Sequence, residues 1–351
     1  MRPSSSTAPS TTALAPDIVL RGIAICMVVF NHASITDSRP VHLGGGLNIL
    51  LLLSGYAFAR FTLAQGDVHE VRRRIVRFAL GVWLPCVVVV LLSFAAKREW
   101  SWSELLFVST LFGDEHIALM YVWYPQVLLQ LFALLFVLTF VPGVDTAIRQ
   151  HPALLAVALL VASFSILLLL HGTGEATDLL DRSLQAIAWN FFLGCTLWYA
   201  RSGSGRLARS SRNVLLGLTL TLSLIAFGVG ADVLRTVALT VSIAVMLFAS
   251  RIVMPRGLAR AAGIVSQATF TVFLCHVLFL RIFDAAGLRQ IHHGFDARDT
   301  VLAGCFAIAG SLVLWLAGVS LSRAWRHEWG QQPRPRLRMP AATAPVQTAH
   351  P

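Results

Sequence analysis

The chain has 351 residues, of which 56% are hydrophobic and only 13% charged, and its mean hydropathy is +0.71. Soluble domains carry about 25% charged residues, so this composition excludes an ordinary soluble fold and points to an all-α integral membrane protein. The formal charge is +11, but the basic residues stand in short clusters between apolar runs, a pattern of membrane topology and not of nucleic-acid binding.

In chain order, residues 1–16 are rich in Ser, Thr, Ala and Pro and predict a disordered tail. Crossing a hydrocarbon core about 30 Å thick takes about 20 mostly apolar residues, and about ten runs qualify. They are 17–36, 43–64, 75–96, 121–142, 152–171, 183–200, 213–230, 233–250, 262–283 and 300–321. Between the third and fourth, the charged stretch 97–120 predicts an interfacial helix and loop. Residues 17–321 thus form one transmembrane domain, and 322–351 a basic tail. Arg21 and the many later spans favour an uncleaved first span over a signal peptide.

Orientation follows from charge, because short cytoplasmic loops collect Lys and Arg. With the N-terminus inside, the clusters Arg72-Arg73-Arg74-Arg77, Arg201/Arg206/Arg209/Arg212, Arg251/Arg256/Arg260 and Arg323 to Arg338 all fall on one side. An even span count then places both termini in the cytoplasm, and the protein is expected in the inner (plasma) membrane as a multi-pass protein. The five cysteines, Cys26, Cys86, Cys195, Cys275 and Cys305, lie in apolar runs without CxxC spacing, so neither a metal site nor a disulfide framework is indicated.

The first span, DIVLRGIAICMVVFNHAS, carries Arg21 near its start and His32 near its end. Eleven helical steps separate the two by about 16 Å along the axis and about 20° around it, so they share one face without touching. Ionisable residues within spans generally face the bundle interior or a water-filled cavity. Against this stands a plainer reading, in which Arg21 snorkels to lipid phosphate and His32 is a bonded helix-end residue. In the second span, LNILLLLSGYAFAR, Ser54-Gly55 permits close helix approach and Asn48 a cross-helix hydrogen bond. The following VRRRIVRF places Arg74 and Arg77 three apart, a phosphate clamp if the stretch is helical, although such a cluster also serves topology alone. Late in the chain, SQATFTVFLCHVLFL puts His276 in mid-membrane.

Together these segments resemble the membrane proteins of acyltransferase family three, which include O-acetyltransferases of bacterial surface polysaccharides. The family's first span has a basic residue, ten residues and a histidine, as in Arg21 to His32. Its Phe-Phe-x-x-Ser-Gly-Phe pattern is imitated by GLNILLLLSGY, its Arg-x-x-Arg by Arg74 and Arg77, and its Tyr-x-x-His by Phe273-Leu274-Cys275-His276. The chain departs from the pattern where Asp17 precedes the arginine by four residues instead of three, where Asn48 replaces a common aspartate, and where WYPQVLLQ lacks a glutamate.

The resemblance implies a membrane O-acyltransferase that moves an acyl group, expected to be acetyl, from cytoplasmic acyl-CoA to a hydroxyl of a carbohydrate or surface glycan, with no bound cofactor. It assigns His32 and Arg21 as catalytic, Arg74 and Arg77 as donor-binding, and Ser54 and His276 as supporting. His32 is then a general base, or alternatively carries a transient acyl group. A rival reading takes Arg21, His32 and His276 as the substrate or proton path of a polytopic transporter.

Overall fold

The computed structural model describes residues 11–34, 44–97, 100–109, 119–172, 183–202, 233–288 and 297–329, with isolated positions between 212 and 225. Its helices are α1 (Pro16–Ser34), α2 (Gly46–Phe61), α3 (Val68–Lys97), α4 (Trp102–Leu105), α5 (Leu119–Leu138), α6 (Val144–Gln150), α7 (Pro152–Gly172), α8 (Leu184–Ser202), α9 (Val233–Phe248), α10 (Arg256–Ala285) and α11 (Ala297–Trp329). A two-stranded antiparallel ribbon joins β1 (Thr11–Leu14) to β2 (Ile252–Pro255).

Six stretches among the described residues are long and apolar enough to cross a bilayer: Pro16–Ser34, Gly46–Gln65, Val68–Ala95, Pro152–Leu170, Arg256–Ala285 and Ala297–Arg323. Three more of the expected runs are helical but shorter or more polar. The apolar part of α5 covers Val122–Leu138, and Pro142 with Gly143, whose φ is +86°, then turns the chain into α6. The apolar helix α9 is Val233–Phe248, and α8 carries Gln185, Asn190 and Arg201 along its length. The expected run 213–230 lies largely outside the described residues. The architecture is that of an all-α multi-pass membrane protein, with six candidate spans among the described residues.

Packing explains how α8 tolerates its polar residues. It lies along α2 and α7, and every residue from Ala186 to Leu197 is buried. The contact with α2 is backbone to backbone: a Cβ built at Gly55 would overlap the carbonyl of Phe191, and one at Gly194 would overlap the carbonyl of Leu52. Small residues permit this approach in membrane helices, where dispersion replaces the hydrophobic driving force. The Cys195 thiol adds a hydrogen bond to the Gly55 carbonyl at 3.3 Å. Two-thirds of the α2 span (67%) is buried against 17% of the α3 span, so α2 is central and α3 peripheral, its Leu80, Trp83, Leu84 and Leu92 exposed to where lipid would lie.

On the other side of α2, α1 packs on α10, and α11 packs on both. The ribbon sets the direction of the α1–α10 pair, because β1 leads into α1 and β2 into α10. Thr11 pairs with Pro255 and Leu14 with Ile252, and Leu14, Ile252, Met254, Val19 and Ala259 make a small apolar cluster beneath the ribbon. Residues 11–14 thus correct the expectation of a tail disordered through residue 16. Their Thr-Thr-Ala-Leu sequence suits an extended strand, and the helix starts supply the packing that an isolated two-stranded ribbon lacks. The basic tail is likewise helical at its beginning, since α11 continues to Trp329. Residues 330–351 lie outside the described set.

Among its described residues, the 97–120 segment contributes the helical turn α4. Ser101 caps it by accepting the Glu104 amide at 3.4 Å. After α4, Phe107 takes a positive φ of 58°. It is buried, and Gln130 of α5 donates to its carbonyl at 3.0 Å.

Candidate active site

Helices α1, α2, α3, α5 and α10 line a cavity of about 530 Å³. Its polar lining comes from every one of these helices: Arg21, Ser54, Arg77 and Tyr124, and on α10 Ser266, Gln267 and Thr269. The walls between them are aromatic and aliphatic, including Phe78, Phe132, Phe270 and Phe273. A mostly apolar concavity of this size with a few convergent polar groups is the usual form of a small-molecule site, for which volumes run from about 300 to 1,000 Å³.

Arg21 reaches this cavity from the second turn of α1, and Arg77 from the third turn of α3. Inside the cavity, the buried Tyr124 hydroxyl stands 3.1 Å from Ser54 Oγ. One of these hydroxyls donates to the other, which leaves one hydroxyl hydrogen for a third group.

Arg74 is placed elsewhere. Its Nε lies 2.6 Å from Glu70 Oε1, and it also donates to the Phe61 carbonyl. Arg72 caps the end of α5, donating to Thr139 Oγ1 at 2.9 Å and the Thr139 carbonyl at 2.6 Å, and sits over the Phe140 ring at 3.9 Å. Of the two residues read as a phosphate clamp, only Arg77 lines the cavity.

The histidines come together beyond the cavity. Since α1 and α10 run the same way from the ribbon, Gly22 lies against Ala262 near their starts, and further along the ring centroids of His32 and His276 are 5.0 Å apart, at 66°. His276 is buried, with Nδ1 2.6 Å from the Phe273 carbonyl and 3.1 Å from the Val272 carbonyl. Carbonyls only accept, so Nδ1 carries the proton and Nε2 the lone pair. Phe273 separates the pair from the cavity: its ring centroid is 5.0 Å from that of Tyr124 and 5.7 Å from that of His276.

Tyr124, Gln267 and Thr269 were not singled out in the sequence. Tyr124 had a signal in WYPQ, a polar-aromatic interruption of an apolar run, whereas Gln267 and Thr269 resemble ordinary polar residues of a helix end. The sequence departures find structural partners. Asn48 accepts from Arg235 Nε at 2.9 Å, and Gln126, fully buried, accepts from Ser109 Oγ at 3.1 Å. Among the described residues no three His, Cys, Asp or Glu side chains cluster as a metal site.

The fold and the site together define a multi-pass helical bundle with an internal cavity lined by two arginines, whose wall residue Phe273 packs against the buried His276. Residues 18–319 match the profile of acyltransferase family 3, described as an acyltransferase domain. The chain belongs to that family and is a membrane acyltransferase. No curated protein and no solved structure gives a significant match to it.

Proposed function

We propose that the protein transfers an acyl group, acetyl in the simplest case, from cytoplasmic acyl-CoA to a hydroxyl of a carbohydrate or surface glycan at the inner membrane, with both termini in the cytoplasm. The observation that carries this reading is the convergence of Arg21 and Arg77 on one cavity whose aromatic end wall, Phe273, is a single helical turn from His276. Guanidinium groups bind phosphate oxygens through charge-assisted, often bidentate hydrogen bonds, which suits the polyanionic end of coenzyme A. The narrow pantetheine arm then runs inward, and the Ser54–Tyr124 pair offers a hydroxyl to the thioester carbonyl. His32, beyond Phe273, is the general base for the acceptor hydroxyl.

In this reaction the acceptor O–H gives its proton to His32 as its oxygen attacks the thioester carbon. The C–S bond breaks, the ester C–O bond remains, and the proton is returned to the leaving thiolate. Such base catalysis contributes about 10²- to 10⁴-fold. The test is a transfer assay on purified protein with radiolabelled acetyl-CoA and hydroxyl-bearing oligosaccharides, read beside donor binding. His32→Ala is expected to lose transfer and keep donor binding, and Arg21→Ala to weaken donor binding. Full transfer by His32→Ala would remove His32 from the active site, and a wild type that binds no acyl-CoA would remove the donor assignment.

A further inference from the structure

His276 holds an unused bonding capacity that the reaction as described does not employ. The residue is 1% exposed, its Nδ1 proton is committed to the backbone of its own helix, and Nε2 is buried without a hydrogen-bond partner. A buried acceptor left unsatisfied is destabilising, so its presence in a helix otherwise apolar from Val272 to Leu280 calls for a use. The neighbour that it meets is His32.

The separation of the rings fits a bond between them. Two imidazoles joined by an N–H···N contact of about 2.9 Å, each nitrogen about 1.1 Å from its ring centre, have centroids about 5.1 Å apart. The rings of His32 and His276 have centroids 5.0 Å apart at an interplanar angle of 66°, the separation that such a contact requires. Because the Phe273 and Val272 carbonyls fix the proton on Nδ1, His276 is able only to accept at Nε2.

We propose that His276 is the positioning partner of His32, its Nε2 accepting the His32 N–H so that the other His32 nitrogen keeps its lone pair for the acceptor hydroxyl. This inference rests on the reading of His32 as general base. During transfer the acceptor O–H proton passes to that second nitrogen, and the His32 imidazolium so formed keeps its other N–H on Nε2 of His276 until the first proton leaves with the thiolate. His276 gains and loses no proton. A neutral imidazole orients the base in a membrane interior without burying a carboxylate, whose desolvation costs far more.

The experiment compares steady-state kinetics of His276→Gln, His276→Asn and His276→Phe in purified full-length protein. A glutamine amide reaches the place of Nε2, whereas an asparagine amide replaces only Nδ1. With donor KM within about threefold of wild type throughout, kcat is expected to fall about 10²-fold in His276→Asn and His276→Phe, while His276→Gln stays at least about 10-fold above them. Should the phenylalanine variant fail to accumulate, the Gln/Asn ratio carries the result. Equal kcat in Gln and Asn, or wild-type kcat in Asn, overturns the positioning role while an inactive His32→Ala keeps the base assignment. An active His32→Ala overturns the base assignment itself.

Discussion

Arg74 and Arg77 stand one helical turn apart on α3 yet meet different surroundings: Arg74 is bound to Glu70 and to the Phe61 carbonyl, and Arg77 opens onto the cavity shared with Arg21. The pair therefore divides its work. Arg77→Lys keeps the charge and loses the planar fork, and donor KM is expected to rise about tenfold with kcat little changed. Arg74→Lys is expected to leave donor KM within about twofold and stability little changed, since its ion pair is at the surface and screened by solvent. Titration of acetyl-CoA against each variant checks this, and equal donor effects in the two would restore the clamp read from the sequence.

Tyr124 and Ser54 form the hydroxyl pair within the cavity. If the pair's spare hydrogen meets the thioester oxygen, Tyr124→Phe removes a donor that acts most strongly as charge develops there, and kcat is expected to fall about 10²-fold with donor KM nearly constant. A rise in KM with unchanged kcat would make the hydroxyl a ground-state binding group instead.

Phe273 stands between Tyr124 and the histidines, so its ring limits how much acyl chain fits past the hydroxyl pair. Phe273→Leu shortens the side chain without emptying the site. Relative kcat/KM for butyryl- over acetyl-CoA is expected to rise about tenfold, within the range that one or two methylenes command in a pocket. Competition assays with the two donors measure the ratio, and an unchanged ratio would mean that the acyl group lies elsewhere.

If the basic clusters follow the positive-inside rule, the 65–77, 201–212 and 251–260 segments are cytoplasmic. A cysteine introduced at Ser204 in a background lacking reactive thiols is expected to resist membrane-impermeant maleimide in intact cells and to label after permeabilisation. Labelling in intact cells would invert the orientation and with it the side from which the donor enters.

The sequence exposes the parts of this protein that follow a period or a cost. Apolar length marks α1, α2, α3, α7, α10 and α11, and the expense of buried charge marks Arg21, His32 and His276. Helical spacing also places Arg21 and His32 on one face with a long separation, as their positions at the cavity and beyond Phe273 reflect. What it leaves hidden depends on partners distant in the chain. Arg74 and Arg77 look alike until Glu70 occupies one of them. Tyr124 becomes a site residue only through Ser54, seventy positions earlier in the chain. The ribbon depends on residues 252–255, which no local pattern links to residues 11–14. Six of the ten expected crossings stand out by length and apolarity among the described residues, whereas α8, buried from Ala186 to Leu197, owes its place to its neighbours more than to its own hydropathy.

The glycine contacts between α2 and α8 also bear on which walls of the cavity can yield. Two backbones that meet without intervening side chains have no rotamers to rearrange, so the pair resists relative sliding. Ser54 thus faces the cavity from a stiff wall. The contrast is α3, which carries Arg77 to the same cavity and presents an exposed apolar surface on its outer side. If acyl-CoA is the donor, a change in the surrounding lipid is expected to alter the setting of Arg77 more than that of Ser54.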